Sequence, residues 1–191
     1  MFPPPHQALS RFAELLERWN TTINLVSPGD MPVLWRRHIA DSLQLGSLCG
    51  PMPGRAIDLG SGSGFPGLIL AIQFGLPVAL VEEDQRKAAF LREAVRVTGA
   101  PATVHADKIE RVSLPPAPLV IARALAPVSR LLAHAERLLA AEGECWFPKT
   151  RSVEAELAEA ARNWSMQVQR VPSLTDASGV ILRISAIRRT A

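Results

Sequence analysis

A chain of 191 residues, 48% hydrophobic and 20% charged, has the composition of one soluble globular domain with a substantial core. Its net charge of +3 is a mild basic bias that suits an RNA partner without requiring one, and no apolar run is long enough to span a bilayer. The N-terminus MFPPPHQALS lacks the layout of a secretory signal, and Cys49 and Cys145 belong to no paired spacing, so a cytoplasmic protein with two buried thiols and neither disulfide scaffold nor metal site is expected.

Over residues 5–20, Leu9, Phe12, Leu15, Leu16 and Trp19 recur at helical spacing, with Ser10, Arg11, Glu14, Glu17 and Arg18 on the other face, which predicts an amphipathic helix. A second helical run carrying His38, Asp41 and Ser42 follows the Ser27-Pro28-Gly29-Asp30 turn, with Asp30 as its expected N-cap. Residues 1–50 thus read as a helical N-terminal extension. Gly50-Pro51-Met52-Pro53-Gly54 punctuates the pattern, and residues 51–191 read as the second unit.

There, short apolar strands over 55–59, 77–81, 102–105, 119–122 and 144–147 alternate with helices over 66–74, 85–97 and 127–139. Such alternation predicts an α/β fold, a mostly parallel sheet covered by helices on both faces, with ligands beyond the strands' carboxyl ends. The end departs from this rhythm. A helix over 153–164 precedes strands over 166–171 and 180–187, and the link between those strands is too short for a crossover helix, so they should pair antiparallel. That is the ending of Rossmann-like methyltransferases, with seven strands and an antiparallel last one, and ordinary nucleotide-binding Rossmann domains usually lack it.

The densest chemical signal is Ile57-Asp58-Leu59-Gly60-Ser61-Gly62-Ser63-Gly64-Phe65-Pro66-Gly67, a strand that runs through a glycine-rich turn into a helix. Gly60, Gly62 and Gly64 allow a cofactor to press against main chain. Asp58 is placed either to accept a hydrogen bond from a cofactor ammonium or to order the loop. Glu82, ending the next strand, is placed to take both ribose hydroxyls of an adenosine cofactor. Gly62-x-Gly64-x-x-Gly67 also matches the dinucleotide fingerprint, so an NAD-dependent oxidoreductase is an alternative. Gly60-x-Gly62-x-Gly64 behind Asp58, together with the antiparallel ending, favours a methyltransferase using S-adenosylmethionine and releasing S-adenosylhomocysteine. The absence of tyrosine rules out a Tyr-x-x-x-Lys pair.

Further pieces are Trp19-Asn20 with Asn24-Leu25, His38-Ile39 with Asp41-Ser42-Leu43, Arg86-Lys87 with Phe90-Leu91, Arg123-Ala124, and Gly143 with Lys149. In this order, with the block 57–67, they resemble the glucose-inhibited division protein B family, bacterial guanine-N7 methyltransferases of small-subunit (16S) ribosomal RNA, over nearly the whole chain. The resemblance implies cofactor contacts at Gly60 and Phe65, at the backbone of Lys108 and Ile109 beside the adenine, at Arg123, and the ribose role for Glu82. The family usually has Arg, a small apolar residue and Glu where this chain has Asp107, Lys108 and Ile109, so Asp107 becomes a candidate acceptor for the adenine amino group. Where the family has glycine after its lysine, this chain has Thr150.

Guanine N7 carries an in-plane lone pair, so its methylation needs alignment rather than a general base. Arg123 is the candidate positioning residue, able to hold the cofactor carboxylate, guanine O6 or a phosphate, or else to serve a structural ion pair. His38 and Asp41, three apart on a helix, can buttress the pocket, line an RNA entrance or simply pack. Arg36, Arg37, Arg86, Lys87, Lys149 and Arg151 are candidate RNA contacts. His105 reads as an interior histidine. The expected partner is 16S ribosomal RNA or the small subunit, bound by a monomer. A non-catalytic ribosome-assembly factor is the remaining alternative.

Overall fold

The computed structural model describes residues 7–48, 54–150 and 153–190. Cys49, Arg151, His6 and the punctuation over 50–53 lie outside the described residues. The first helix, α1 (Gln7–Asn20), buries Leu9, Phe12, Leu15 and Leu16, the expected stripe. It ends at Asn20, whose Oδ1 accepts the N–H groups of Leu25 and Val26, both at 2.9 Å. Then come a 3₁₀ turn (Met31–Val33), a π-helical run (Trp35–Ala40) and α2 (Asp41–Leu48). Asp30 stands at the start of this stretch but makes no side-chain cap; its carboxylate pairs with Arg37 at 3.1 Å and lies 3.4 Å from His38 Nε2.

β1 (Ala56–Leu59), β2 (Val78–Val81), β3 (Ala102–His105), β4 (Ala117–Ile121) and β5 (Leu139–Lys149) run parallel, linked by α3 (Gly67–Phe74), α4 (Gln85–Thr98) and α5 (Val128–Ala135). After α6 (Val153–Ala160) come β6 (Trp164–Pro172) and β7 (Val180–Arg189). The sheet order is β3-β2-β1-β4-β5-β7-β6, and β7 is antiparallel to both its neighbours, as its short link to β6 requires. This is the seven-stranded, Rossmann-like sheet with an antiparallel last strand that the sequence predicts.

The larger departures from the expected boundaries fall at two junctions, α5 to β5 and α6 to β6. α5 stops at Ala135 and β5 begins at Leu139, because Leu139 pairs with Ala117 of β4 ahead of a register shift, after which Glu144 pairs with Leu119. Trp164 opens β6 rather than closing α6, with its ring buried under the Arg189 guanidinium at 4.8 Å.

Successive strand residues face opposite sides, so the sheet carries two cores. Ala56, Val78, Leu80, Leu119 and Ile121 pack under α1, α3 and α4 with Phe12, Leu68 and Phe90. Ile57, Leu59, Val81, Val120 and Phe147 pack under α5 and α6 with Leu131, Leu132 and Leu157. Cys145 is buried in the second core. The carboxyl ends of β1, β2, β4 and β5 all open onto one edge, where the candidate residues gather.

Candidate active site

At the end of β1 the chain turns through Gly60, Gly62 and Gly64 with φ of +66°, +55° and +90°. Ser61 N–H donates to Val81 O (2.9 Å), which ties the turn to β2. Glu82 follows β2 and is 7% exposed. Its Oε2 accepts the Gly62 N–H at 2.7 Å and its Oε1 accepts the Asp84 N–H at 2.8 Å. Two backbone donors therefore fix the carboxylate, and each oxygen keeps a second lone pair for a further donor. A Cβ built on Gly62 would meet nothing nearer than Gly60 O at 3.8 Å, so this side of the turn faces open space.

Asp58, on the face of β1 toward α3, is fully buried. Its Oδ2 accepts the N–H of Gly67, the first residue of α3, at 3.1 Å. A Cβ on Gly67 would lie 2.5 Å from that oxygen, so glycine is what lets helix and carboxylate approach. Loop ordering, one of the two roles expected for Asp58, is thus visible. Its Oδ1 has no hydrogen-bond partner. Burial pushes this carboxyl up to about 7, against the opposing pull of the Gly67 N–H and Ser61. A carboxyl already occupies the helix N-terminus at which a Rossmann domain would hold a pyrophosphate. Its unmet acceptor favours a cationic ligand group there.

Arg123, just past β4, lies over the Phe65 ring at 5.1 Å with its side chain 18% exposed. Nη2 contacts His38 Nδ1 at 3.0 Å and Nη1 donates to Asp41 Oδ2 at 3.4 Å. Arginine only donates, so Nδ1 must accept and the imidazole proton sits on Nε2, 3.4 Å from Asp30 Oδ2 but outside hydrogen-bonding geometry. Burial, then the Arg123 charge, holds the His38 pKa below its usual value, which keeps this tautomer neutral at physiological pH. His38 stacks on Phe65 at 5.1 Å, and Phe12 meets the same ring edge-on at 5.6 Å. Phe65 is consequently a buried wall that joins the glycine turn to α1 and Arg123.

Beyond Arg123 opens a cleft of about 870 Å³, lined by residues including Arg36, His38, Asp41, Arg123, Leu125 and Thr175. Ala124 adopts φ +52°, a conformation costing about 1–3 kcal/mol in a non-glycine residue. The next side chain, Leu125, is 39% exposed and reaches the space above Gly60, where a Cβ would come within 2.8 Å of it. The cleft and the glycine turn are therefore neighbours.

The other expected residues divide. Lys149, read as an RNA contact, has its side chain 10% exposed and donates to Glu156 Oε2 (2.8 Å) and Ala126 O (2.7 Å). It braces the 124–128 segment, with Glu156 Oε2 also accepting the Val128 N–H at 3.0 Å. Arg86 and Lys87 occupy the first turn of α4, where Asp84 Oδ1 accepts both backbone N–H groups at 2.8 and 3.2 Å. They stand on the Glu82 side, apart from the residues that line the cleft. Asp107 Oδ1 accepts the Lys108 N–H at 2.8 Å, and the Lys108 carbonyl accepts from Arg111 and Val112. Both main-chain groups of Lys108 are thus engaged within its own turn, while Ile109 packs against the second core. His105 is half-buried beside Thr103 rather than interior. Gln44 and Thr175 escaped the sequence reading: Gln44 is 1% exposed, a polar side chain inside an apolar run, and contacts Asp41, Ser173 and Thr175.

Among the described residues there is no helix long and apolar enough to cross a membrane and no group of three or more potential metal ligands. The family model described as rRNA small subunit methyltransferase G matches residues 5–182. A protein named ribosomal RNA small subunit methyltransferase G from Gluconobacter oxydans is 53% identical over 184 residues, covering 96% of this chain and 95% of the relative. Its namesake from Granulibacter bethesdensis is 52% identical over 183 residues, covering 96% and 86%. Among solved structures, the magnesium protoporphyrin IX methyltransferase of Synechocystis PCC 6803 with bound SAM aligns at a TM-score of 0.62 and 15% identity, over 96% of this chain and 99% of that one, a likeness of fold. With the match to the family running from the first helix to the last strand and across every element of the site, the chain belongs to the rRNA small subunit methyltransferase G family.

Proposed function

We propose that this protein transfers a methyl group from S-adenosylmethionine to N7 of a guanine in 16S ribosomal RNA, acting as a cytoplasmic monomer. The observation that carries the reading is the cradle of Asp58, Gly62 and Glu82 beside a cleft walled by Arg123. Glu82 is fixed to receive two ribose hydroxyls. The unpartnered Oδ1 of Asp58 suits an ammonium, and the same carboxyl at the α3 N-terminus opposes the pyrophosphate of a dinucleotide. When bound, S-adenosylmethionine supplies an electrophilic methyl on a sulfonium sulfur.

The acceptor side needs little proton chemistry. Guanine N7 reacts through a lone pair already in the ring plane, and the titratable groups around Arg123 are committed to one another: His38 to Arg123, Asp41 to Arg123, Gln44 and Thr175. The chain's contribution is therefore positioning, which is worth up to roughly 7–11 kcal/mol in favourable systems. Arg123 presents a guanidinium at the boundary between cradle and cleft, where guanine O6 or a phosphate can meet it. Arg36 and Arg37, exposed at the cleft rim, are suited to backbone phosphates. A stacked guanine cannot enter such a cleft, so the target must be unpaired or exposed in a partly assembled subunit.

The test is a nucleoside digest of 16S ribosomal RNA from cells with and without the gene. Loss of one 7-methylguanosine on deletion is expected. An unchanged digest would leave a binding role in ribosome assembly.

A further inference from the structure

Asp41 is the structural hinge of the Arg123 cluster. Its Oδ2 receives Arg123 Nη1, while its Oδ1 receives Thr175 Oγ1 at 2.7 Å and Gln44 Nε2 at 2.6 Å. Gln44 is buried in α2 and engages three groups of the β6–β7 turn through four contacts. Its Nε2 reaches Ser173 Oγ (3.1 Å) and Thr175 Oγ1 (2.9 Å), and its Oε1 accepts the Leu174 N–H (2.7 Å) and Ser173 Oγ (3.2 Å). Ser173, Thr175 and Gly179 of that turn also line the cleft.

A long arginine side chain has many rotamers, and one placed for catalysis must be held in a single one. Here three directions are constrained: Phe65 supports the guanidinium face, His38 takes Nη2, and Asp41 takes Nη1. Phe65 comes from the glycine turn, and His38 from the helical run that leads into α2. Asp41 alone of the three links Arg123 to the turn on the acceptor side of the cleft.

Resting on the reading of Arg123 given above, we infer that Asp41 is a positioning residue for Arg123, and that the β6–β7 turn holds Asp41 in place through Thr175 and Gln44. The wall of the cleft that would face the RNA is thereby built into the orientation of the arginine.

The experiment is a double-mutant cycle read as kcat for methyl transfer to small-subunit RNA, with melting curves for each variant. Asp41→Ala should lower kcat by about 100-fold, the scale of a misplaced reacting group. Asp41→Asn, which keeps one acceptor oxygen and so can serve Arg123 or Thr175 but not both, should recover part of it. Thr175→Val leaves the Asp41 charge intact and should cost roughly 10-fold, a milder misalignment of the same arginine. In an Arg123→Ala background, Asp41→Ala and Thr175→Val should cost almost nothing more, because residues acting as a unit are non-additive. Losses that multiply, or a fully active Asp41→Ala, overturn the proposal while leaving the Arg123 role standing. If Arg123→Ala itself turns over normally, the reading beneath fails and this proposal falls with it. Should Asp41→Ala not fold, the Thr175→Val arm decides the outcome alone.

Discussion

Arg123→Ala should lower methyl transfer by roughly 100- to 1,000-fold, the range seen when a fixed cationic or hydrogen-bond donor is removed from a reacting centre. The fold should survive, since Asp41 keeps its bonds from Gln44 and Thr175 and Phe65 keeps Phe12 and His38 against its ring. His38 loses the donor to Nδ1, and the charge that depresses its pKa disappears with it. The variant should therefore melt near the wild type while its kcat collapses. Arg123→Lys should not rescue fully, because a single ammonium cannot meet both His38 and Asp41 in the fork geometry of a guanidinium. Near-normal turnover in Arg123→Ala would assign the residue to architecture.

Gly62→Val should abolish cofactor binding. The residue has φ +55°, which a β-branched side chain adopts only under strain of about 1–3 kcal/mol. Its N–H also holds Glu82 Oε2, so any shift of the turn to relieve that strain displaces the carboxylate assigned to the ribose. Beyond strain there is occlusion: a side chain at this position projects into open space beside the turn, where the cofactor is expected. Titration with S-adenosylhomocysteine should show at least ~100-fold weaker binding, about 2.8 kcal/mol at 1.4 kcal/mol per tenfold. Wild-type affinity in this variant would mean that the turn does not face the ligand.

Local patterns in the sequence carried the fold because helix and strand periods differ and parallel strands are apolar on both faces. Glu136, Arg137 and Leu138 are good helix formers, so propensity alone extends α5 to Leu139, where the Ala117 N–H instead takes the Leu138 carbonyl and Leu139 lies opposite Ala117 of β4. The glycine turn and Glu82 were legible as well, since close backbone approach leaves a mark at each glycine. The Arg123 cluster was legible only in pieces. His38, Asp41 and Arg123 were each visible as candidates, yet their convergence spans 82 to 85 residues and depends on tertiary packing. The tie between Gln44 and Ser173, 129 residues apart, has no sequence signal beyond one polar residue inside an apolar run. Lys149 shows the reverse: a cation at the correct sheet edge whose charge is neutralised by Glu156.

The account depends most on the crevice between the glycine turn and Glu82 accepting a cationic nucleoside, and calorimetric titration of the wild-type protein with S-adenosylhomocysteine and with NAD, each at pH 6 and pH 8, tests this directly. With the Asp58 carboxyl near 7, it is largely protonated at the lower pH and charged at the higher. S-adenosylhomocysteine, which carries the ammonium, should bind at both and more tightly at pH 8, and NAD should bind at neither. Tight binding of NAD without binding of S-adenosylhomocysteine would contradict the account.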